Sequence, residues 1–216
     1  MENKKEIYIV GGGWSLRNKN LKWLANKTTI CINKSIFYVP YPDYFITMDF
    51  TFLNKIKKLK KYLDSLSTDK IFVVNFHVPY LKEENGQIKD IRGHGIIYNL
   101  KDFNIIIKSY NVNGIGFKWK DFCNGANSGY CGLQLAILLG FNKIHLLGID
   151  FVIGKQTHFH GGYKESSISF QKKLDIYFEY WKKGLLELKE KRPDIKIISN
   201  SEISKLNGII PYEKLK

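Results

Sequence analysis

Apolar residues fall into short continuous runs, which alternate along the chain with longer segments whose apolar residues recur at helical intervals. Runs of strand length occur at residues 6–10, 28–33, 44–48, 71–74, 143–147 and 196–199. Apolar positions at helical intervals predict helices over residues 18–24, 52–66, 130–139 and 167–191. Because strands alternate with helices, we predict an α/β fold with a doubly wound, mostly parallel, Rossmann-like sheet.

Residues 79–123 depart from this alternation. They hold several glycines and only short apolar runs, at residues 96–97 and 105–107. We therefore predict one nucleotide-binding domain over residues 1–216, with residues 79–123 as an irregular insertion after the fourth strand. Such an insertion of loops and short strands is typical of a lid or of a wall that binds an acceptor.

The composition is that of a folded, water-soluble domain. With 216 residues, 44% of them hydrophobic, the chain is long enough to bury a core. No apolar run approaches the ~18 residues that a membrane span needs, and the N-terminus lacks the features of a signal peptide. The three cysteines include no C-x-x-C pair, so neither a disulfide framework nor a zinc knuckle is indicated. We expect a cytoplasmic protein.

The formal net charge of +14 raises the possibility of a nucleic-acid partner. Only Arg17, Arg92 and Arg192 are arginines, and arginine is the residue that usually recognises phosphates and base edges with two hydrogen bonds. A phosphorylated or sugar-bearing donor explains the excess charge equally well, as does a bias towards lysine in the coding sequence. Nucleic acid therefore stays a minor alternative partner.

Three glycines follow the first predicted strand, in the segment GGGWSL at residues 11–16. If a helix begins there, Gly11, Gly12 and Gly13 let a phosphate approach free amides, and Ser15 adds a hydroxyl donor. The simpler alternative is a tight turn that needs glycine conformations. The spacing is not G-x-G-x-x-G, so an NAD site is disfavoured.

Polar residues also end the second and third predicted strands, where ligands of such sheets bind. Asn33 is a candidate for a hydrogen bond to a ribose or base edge, or for a cap of the following segment. Asp49 is a candidate for orienting an acceptor hydroxyl, for holding magnesium, or for capping the helix predicted from residue 52. For Asp49 the capping role is preferred.

A second helix start follows at residues 127–129. Asn127, Ser128 and Gly129 precede an apolar helix, and a helix N-terminus attracts anions or the polar edge of a base. Asp150 ends another predicted core strand, at the same edge of the sheet. We include all four residues in the predicted nucleotide site.

His158 and His160 lie in a polar, glycine-containing loop after that strand. Since imidazole titrates near neutral pH, either is a candidate general base, and His160 is preferred. Tyr163 is a candidate donor to a leaving phosphate. No third ligand with metal-site spacing accompanies the two histidines, so we predict no metal site, and a loop histidine without a role remains the alternative.

Four segments in this order resemble a known nucleotide-binding core. They are GGGWSL, CINKS at residues 31–35, PDYFITMD at residues 42–49, and NSGYCGLQLAILLGFNKIHLLGIDF at residues 127–151. The core is that of Rossmann-like bacterial sialyltransferases and of 6-hydroxymethylpterin diphosphokinase-like proteins, which include motility accessory factors and short phage-encoded relatives. The chain departs from the sialyltransferases in having GGWSL for NGPSL and Val152 for a tyrosine, and their catalytic histidine lies further downstream.

The sialyltransferase resemblance implies a CMP-type sugar donor held by the first turn, Asn33 and Ser128-Gly129, with a histidine base and no metal. The diphosphokinase-like resemblance implies ATP and magnesium, with Asp49 and Asp150 as candidate ligands. The first hypothesis is therefore a glycosyltransferase that moves a sugar from a nucleotide sugar to an unidentified hydroxyl acceptor. The alternatives are a magnesium-dependent diphosphokinase, a non-catalytic nucleotide- or nucleic-acid-binding accessory protein, and a DNA-modifying glycosyltransferase.

Overall fold

A parallel β-sheet forms the centre of the molecule. The computed structural model describes residues 5–49, 52, 70–76, 81–84, 87–90, 95–99, 105–109, 111–160 and 167–215. The strands in this part of the chain are β1 (Glu6–Val10), β2 (Thr29–Ile32), β3 (Tyr44–Thr47), β4 (Ile71–Phe76), β5 (Leu81–Glu84), β6 (Gln87–Asp90), β7 (Gly95–Asn99), β8 (Ile105–Ser109), β9 (Lys143–Leu147) and β10 (Lys196–Ser199). Seven of them pair in parallel in the order β10-β9-β1-β2-β3-β4-β8. This confirms the predicted fold class.

Strands β5, β6 and β7 form a separate antiparallel sheet. Strand β8, which lies within the predicted insertion, instead pairs with β4 and forms one edge of the main sheet. Its Ile105-Ile106-Ile107 run suits a strand because β-branched residues pack well on a pleated sheet. The division of the chain into one domain and an insertion over residues 79–123 stays a prediction.

The central strand β1 is buried on both faces. Ile7 and Ile9 contribute to one hydrophobic cluster, and Tyr8 and Val10 contribute to another on the opposite side of the sheet. Alternate side chains of a strand point to opposite faces, so a continuous apolar run indicates a sheet covered on both sides. The sheet is also doubly wound, because the chain extends it from β1 in both directions, through β2, β3, β4 and β8 on one side and through β9 and β10 on the other.

Two α-helices lie in the described part of the chain, α1 (Ser128–Leu138) and α2 (Ser167–Lys191). Helix α1 packs against β1, β2 and β3. A Cβ atom at Gly132 would lie 3.2 Å from side-chain atoms of Ile9 and Ile32, so glycine allows the helix to approach the sheet closely. The start of α1 therefore lies directly beside the carboxyl ends of the central strands.

The helix predicted over residues 18–24 is wrong. Two short 3₁₀ helices, Trp14–Leu16 and Lys22–Asn26, occupy this part of the chain. Between them Asn18 adopts a φ of 61°, in the left-handed region, which interrupts any continuous helix. Of the helix predicted over residues 52–66, only Phe52 belongs to the described residues, and it is helical.

Candidate functional site

A cavity of about 370 Å³ opens at the carboxyl ends of β1, β2, β3 and β9. Strand β1 lies between β2 and β9 in the sheet, so the chain order reverses at this point, which is where open α/β sheets usually bind ligands. The lining includes these predicted site residues: Gly11, Gly12, Gly13, Asn33, Asp49, Asn127, Ser128, Gly129, Asp150, His158 and His160. The structure thus brings together almost all of the residues selected from the sequence.

The glycine turn differs from the predicted phosphate cradle. The Gly11 and Gly13 amides donate to the carbonyl oxygens of Leu147 and Gly148, at 2.8 Å each. The amide of Ser15 donates to a carboxylate oxygen of Asp150, at 2.8 Å. Because these amides already have acceptors and only a three-residue 3₁₀ helix follows, the turn lacks the row of free amides that the cradle requires.

The Asp150 side chain instead ties this turn to the end of β9. Its second carboxylate oxygen accepts a 2.7 Å hydrogen bond from the Ser15 hydroxyl, so Ser15 faces Asp150 and lies outside the cavity lining. A Cβ atom on Gly13 would lie 2.5 Å from Asp150 Oδ2, which explains the glycine. Asp150 is 3% exposed, and this burial raises its pKa, although the two Ser15 hydrogen bonds act in the opposite direction.

Gly12 contacts the loop that contains His158 and His160. The Phe159 amide donates to the Gly12 carbonyl oxygen at 3.1 Å. A Cβ atom on Gly12 would lie 2.7 Å from His158 Cδ2 and 3.4 Å from His160 Nε2. The glycine therefore allows both imidazole rings to lie against the backbone at the end of β1.

The two imidazole rings lie close together and nearly parallel, with centroids 5.0 Å apart and an interplanar angle of 22°. Burial is the largest cause that lowers the pKa of each, to about 4. The nearby Lys34 ammonium lowers both further, and His160 also lowers the pKa of His158. Both rings are therefore neutral at pH 7, the form in which an imidazole accepts a proton.

The N-terminus of α1 also borders the cavity, through Asn127, Ser128 and Gly129. The Asn127 side-chain oxygen caps the helix by accepting the Tyr130 amide at 2.9 Å, and it also accepts Trp181 Nε1 at 3.3 Å. The amides of Ser128 and Gly129 precede the first intrahelical hydrogen bond, so the helix itself supplies no acceptor for them. These two amides and the helix dipole form a positive site for an anion.

The side chains of the polar residues after β2 and β3 form hydrogen bonds within the protein. Asn33 has a φ of 52°, and its side-chain oxygen accepts a 2.6 Å hydrogen bond from the Thr47 hydroxyl. A carboxylate oxygen of Asp49 accepts the Phe52 amide at 3.2 Å, which is the contact of a helix cap. The preferred role of Asp49, capping, therefore agrees with its observed contact.

Strained backbone concentrates around the cavity. Outside glycine, left-handed φ values occur in the described chain at five residues, and three of them line the cavity: Asn33, Ala126 and Phe151. Side chains other than glycine adopt this conformation at a cost of about 1 kcal/mol or more, and such residues cluster at functional sites. This observation supports the cavity as the functional site independently of the residue types that line it.

Several lining residues were not predicted from the sequence. Most of them are apolar or small, and they are Ile32, Met48, Ala126, Gly148, Ile149, Phe151, Val152, Thr157, Phe170, Leu174 and Tyr177. Phe170, Leu174 and Tyr177 lie on α2, and their three- and four-residue spacing is a signal for one helix face. Tyr163 lies outside the described residues, so its predicted role stays a prediction.

The charge of the site contrasts with that of the whole chain. The residues found to line the cavity include neither lysine nor arginine, although the chain carries a net charge of +14. No group of three His, Cys, Asp or Glu side chains suited to a metal ion was found in the described ranges. No helix in the same ranges is long and apolar enough to cross a membrane.

The fold is similar to that of sialyltransferases from Campylobacter jejuni. CstII in complex with a substrate analogue, CMP-3FNeuAc, aligns with a TM-score of 0.56 and 20% identity over 95% of this chain and 85% of that chain. The monofunctional alpha-2,3-sialyltransferase Cst-I aligns with a TM-score of 0.56 and 20% identity over 98% of this chain and 81% of that chain. CstII in complex with cytidine-5'-monophosphate aligns with a TM-score of 0.53 and 18% identity over 97% of this chain and 85% of that chain.

At this identity the alignments establish a shared fold. The expected resemblance to Rossmann-like bacterial sialyltransferases is confirmed at that level. No protein-family model and no curated protein matches the sequence.

Proposed function

We propose that this protein is a glycosyltransferase that takes a sugar from a nucleotide donor, of CMP type, and transfers it to a hydroxyl acceptor. The observation that carries the proposal is one cavity, at the point where the strand order reverses, whose lining includes both a helix N-terminus and two histidines that their lowered pKa keeps neutral at pH 7. The shared fold with sialyltransferases solved in complex with CMP and a CMP-sugar analogue supports the choice of donor.

The donor phosphate is assigned to the start of α1. With the Gly11 and Gly13 amides occupied, the amides of Ser128 and Gly129 are the better anion site among the predicted candidates. Asn33 lines the same cavity at the end of β2, where its amide group can contact the ribose or the base. In this assignment backbone dipoles bind the phosphate, since neither lysine nor arginine was found among the described residues that line the cavity.

His160 is assigned as the general base, with His158 as the alternative. The acceptor oxygen attacks the anomeric carbon of the donor, and its proton passes to a ring nitrogen of the histidine. The bond from the anomeric carbon to the phosphate oxygen breaks, and the nucleotide leaves with the electron pair. A neutral imidazole can take this proton, and acid–base catalysis of this kind contributes about 10²- to 10⁴-fold when the pKa of the base in the complex lies near the working pH.

Donor binding is tested with CMP, UDP, GDP, ATP and the corresponding sugar nucleotides, each with and without magnesium, by thermal denaturation. A ligand at 100 times its Kd stabilises the folded state by about 2.7 kcal/mol. For a domain of this size that corresponds to a rise in Tm of about 5–10 °C. We expect the largest rise with CMP and CMP-sugars and no requirement for magnesium; a response confined to ATP with magnesium would favour the diphosphokinase alternative.

Catalysis is tested by transfer from CMP-sialic acid, comparing His160→Gln and His158→Gln with Tyr41→Ala. Tyr41 is 83% exposed and lies outside the cavity lining, so its variant is the control. We expect His160→Gln to lower the transfer rate by about 10²-fold or more while CMP affinity changes only a few-fold. Binding of CMP without turnover, or tight and salt-sensitive binding of DNA or RNA, would instead favour the accessory-protein alternative.

A further inference from the structure

One aromatic side chain next to the histidines is held in place yet open to solvent. Tyr38 follows the 3₁₀ helix Asn33–Phe37 and is 46% exposed. Its ring contacts Phe159 edge-on, with centroids 4.9 Å apart at 67°. It lies nearly parallel to the His160 ring, with centroids 6.4 Å apart at 18°.

This ring is nearly parallel to the two histidine rings. The planes of Tyr38 and His160, and those of His160 and His158, differ by 18° and 22°. Both histidines line the cavity, whereas Tyr38 lies beside the lining. A solvent-exposed ring therefore lies next to the candidate general base.

The backbone on both sides holds Tyr38 firmly. Ile36 is 2% exposed and Val39 is 5% exposed, and both belong to the hydrophobic cluster on this face of the sheet. The Tyr38 amide donates to the Ser35 carbonyl oxygen at 3.0 Å. The backbone position of Tyr38 is thus fixed, and the contact with Phe159 restricts the ring, which lowers the conformational entropy lost when a ligand packs on it.

We propose that Tyr38 forms an acceptor subsite, which takes a pyranose ring of a carbohydrate acceptor. The axial C–H bonds of a pyranose give it an apolar face that packs on an aromatic ring, while its hydroxyl groups stay in contact with water and polar groups. A sugar on Tyr38 lies beside His160, so one of its hydroxyls can approach the imidazole. This inference rests on the proposed function, because it assigns the acceptor of the same reaction.

The subsite is tested without any donor, by saturation-transfer NMR. The probes are the methyl β-glycosides of galactose, glucose and N-acetylglucosamine, titrated into the wild-type protein and into Tyr38→Ala, Tyr38→Phe and Tyr41→Ala. We expect at least one glycoside to bind, about fivefold more weakly to Tyr38→Ala and within twofold of wild type to Tyr38→Phe, which keeps the ring. Tyr41→Ala removes an exposed ring from the same segment between β2 and β3, and this variant should bind the glycosides as the wild type does.

A calorimetric titration of CMP into the same variants separates this inference from the proposed function. Failure of CMP to bind even the wild type would overturn the donor assignment, whatever the glycosides do. Failure of every glycoside to bind the wild type, or equal binding to wild type and Tyr38→Ala, would overturn the acceptor subsite. Weaker binding of CMP to Tyr38→Ala would also overturn it, since the ring would then belong to the donor site.

Discussion

Acidification should destabilise the folded protein through the two histidines of the cavity. Burial, followed by neighbouring positive charge, lowers the pKa of His158 and His160 from 6.5 to about 4. In the unfolded chain both rings take up protons as the pH falls below about 6.5, while in the folded protein they stay neutral down to about pH 4. The unfolded state therefore binds more protons in this window, and the free energy of unfolding falls as the pH falls through it.

The size of the effect follows from the two pKa values. A full displacement from 6.5 to about 4 corresponds to about 3 kcal/mol for one histidine. Both rings are only partly buried, so solvent screening reduces this by about half, and the pair together contributes about 3 kcal/mol. Domains of ordinary stability have 5–15 kcal/mol in total, so a loss of this size is readily measured.

The measurement is urea unfolding between pH 7.5 and 4.5, for the wild type and for the double variant His158→Gln/His160→Gln. Other titrating groups, including Glu6 and Asp150, are common to both proteins, so the difference between the two curves isolates the histidines. We expect the wild type to lose about 3 kcal/mol relative to the variant on going from pH 7.5 to 4.5. Parallel curves would show that the rings are not held neutral by the fold.

Further predictions concern the contacts that hold the cavity in shape. Gly13→Ala places a methyl group 2.5 Å from the Asp150 carboxylate and should lower the free energy of unfolding by about 2 kcal/mol in thermal denaturation. The control Gly208→Ala, with no atom within 4 Å of the added carbon, should change it by less than about 0.5 kcal/mol. Tyr130→Phe removes the 2.7 Å hydrogen bond to the Gly114 carbonyl and should cost about 1–2 kcal/mol, measured by urea unfolding; an unchanged midpoint would contradict the contact.

The elements that the sequence predicts well are those specified by local patterns. The helix predicted over residues 167–191 is found as α2, Ser167–Lys191, because its apolar residues recur at helical spacing between a polar loop and Pro193. Short apolar runs likewise mark β1, β9 and β10. The sequence also predicts that the polar site residues lie together, since polar residues that follow parallel strands share the carboxyl edge of the sheet.

The glycine turn shows where local patterns fail. Three glycines before a hydroxyl residue are typical of a phosphate site, yet Gly13 here has an extended backbone, with φ of −64° and ψ of 155°. It is glycine because Asp150 and the Gly148 carbonyl, 135 or more residues away in sequence, lie where a Cβ atom would be. Only the three-dimensional packing shows that Asp150, rather than a ligand, accepts the hydrogen bond from the Ser15 amide.

The exclusion of lysine and arginine from the observed cavity lining has a consequence for how the +14 charge acts. A phosphate held by the amides of Ser128 and Gly129 releases few counterions, so nucleotide affinity should depend only weakly on salt. A polyanion bound by surface lysines behaves in the opposite way, because each neutralised phosphate adds nearly one unit to the slope of log affinity against log salt. Calorimetric titration between 50 and 300 mM NaCl, of CMP and of a single-stranded oligonucleotide, therefore separates the two sources of anion affinity. We expect a shallow slope for CMP, and a slope for the oligonucleotide that grows with the number of phosphates it places on the basic surface. Competition of the oligonucleotide with CMP at low salt would contradict a separate cavity site for the nucleotide.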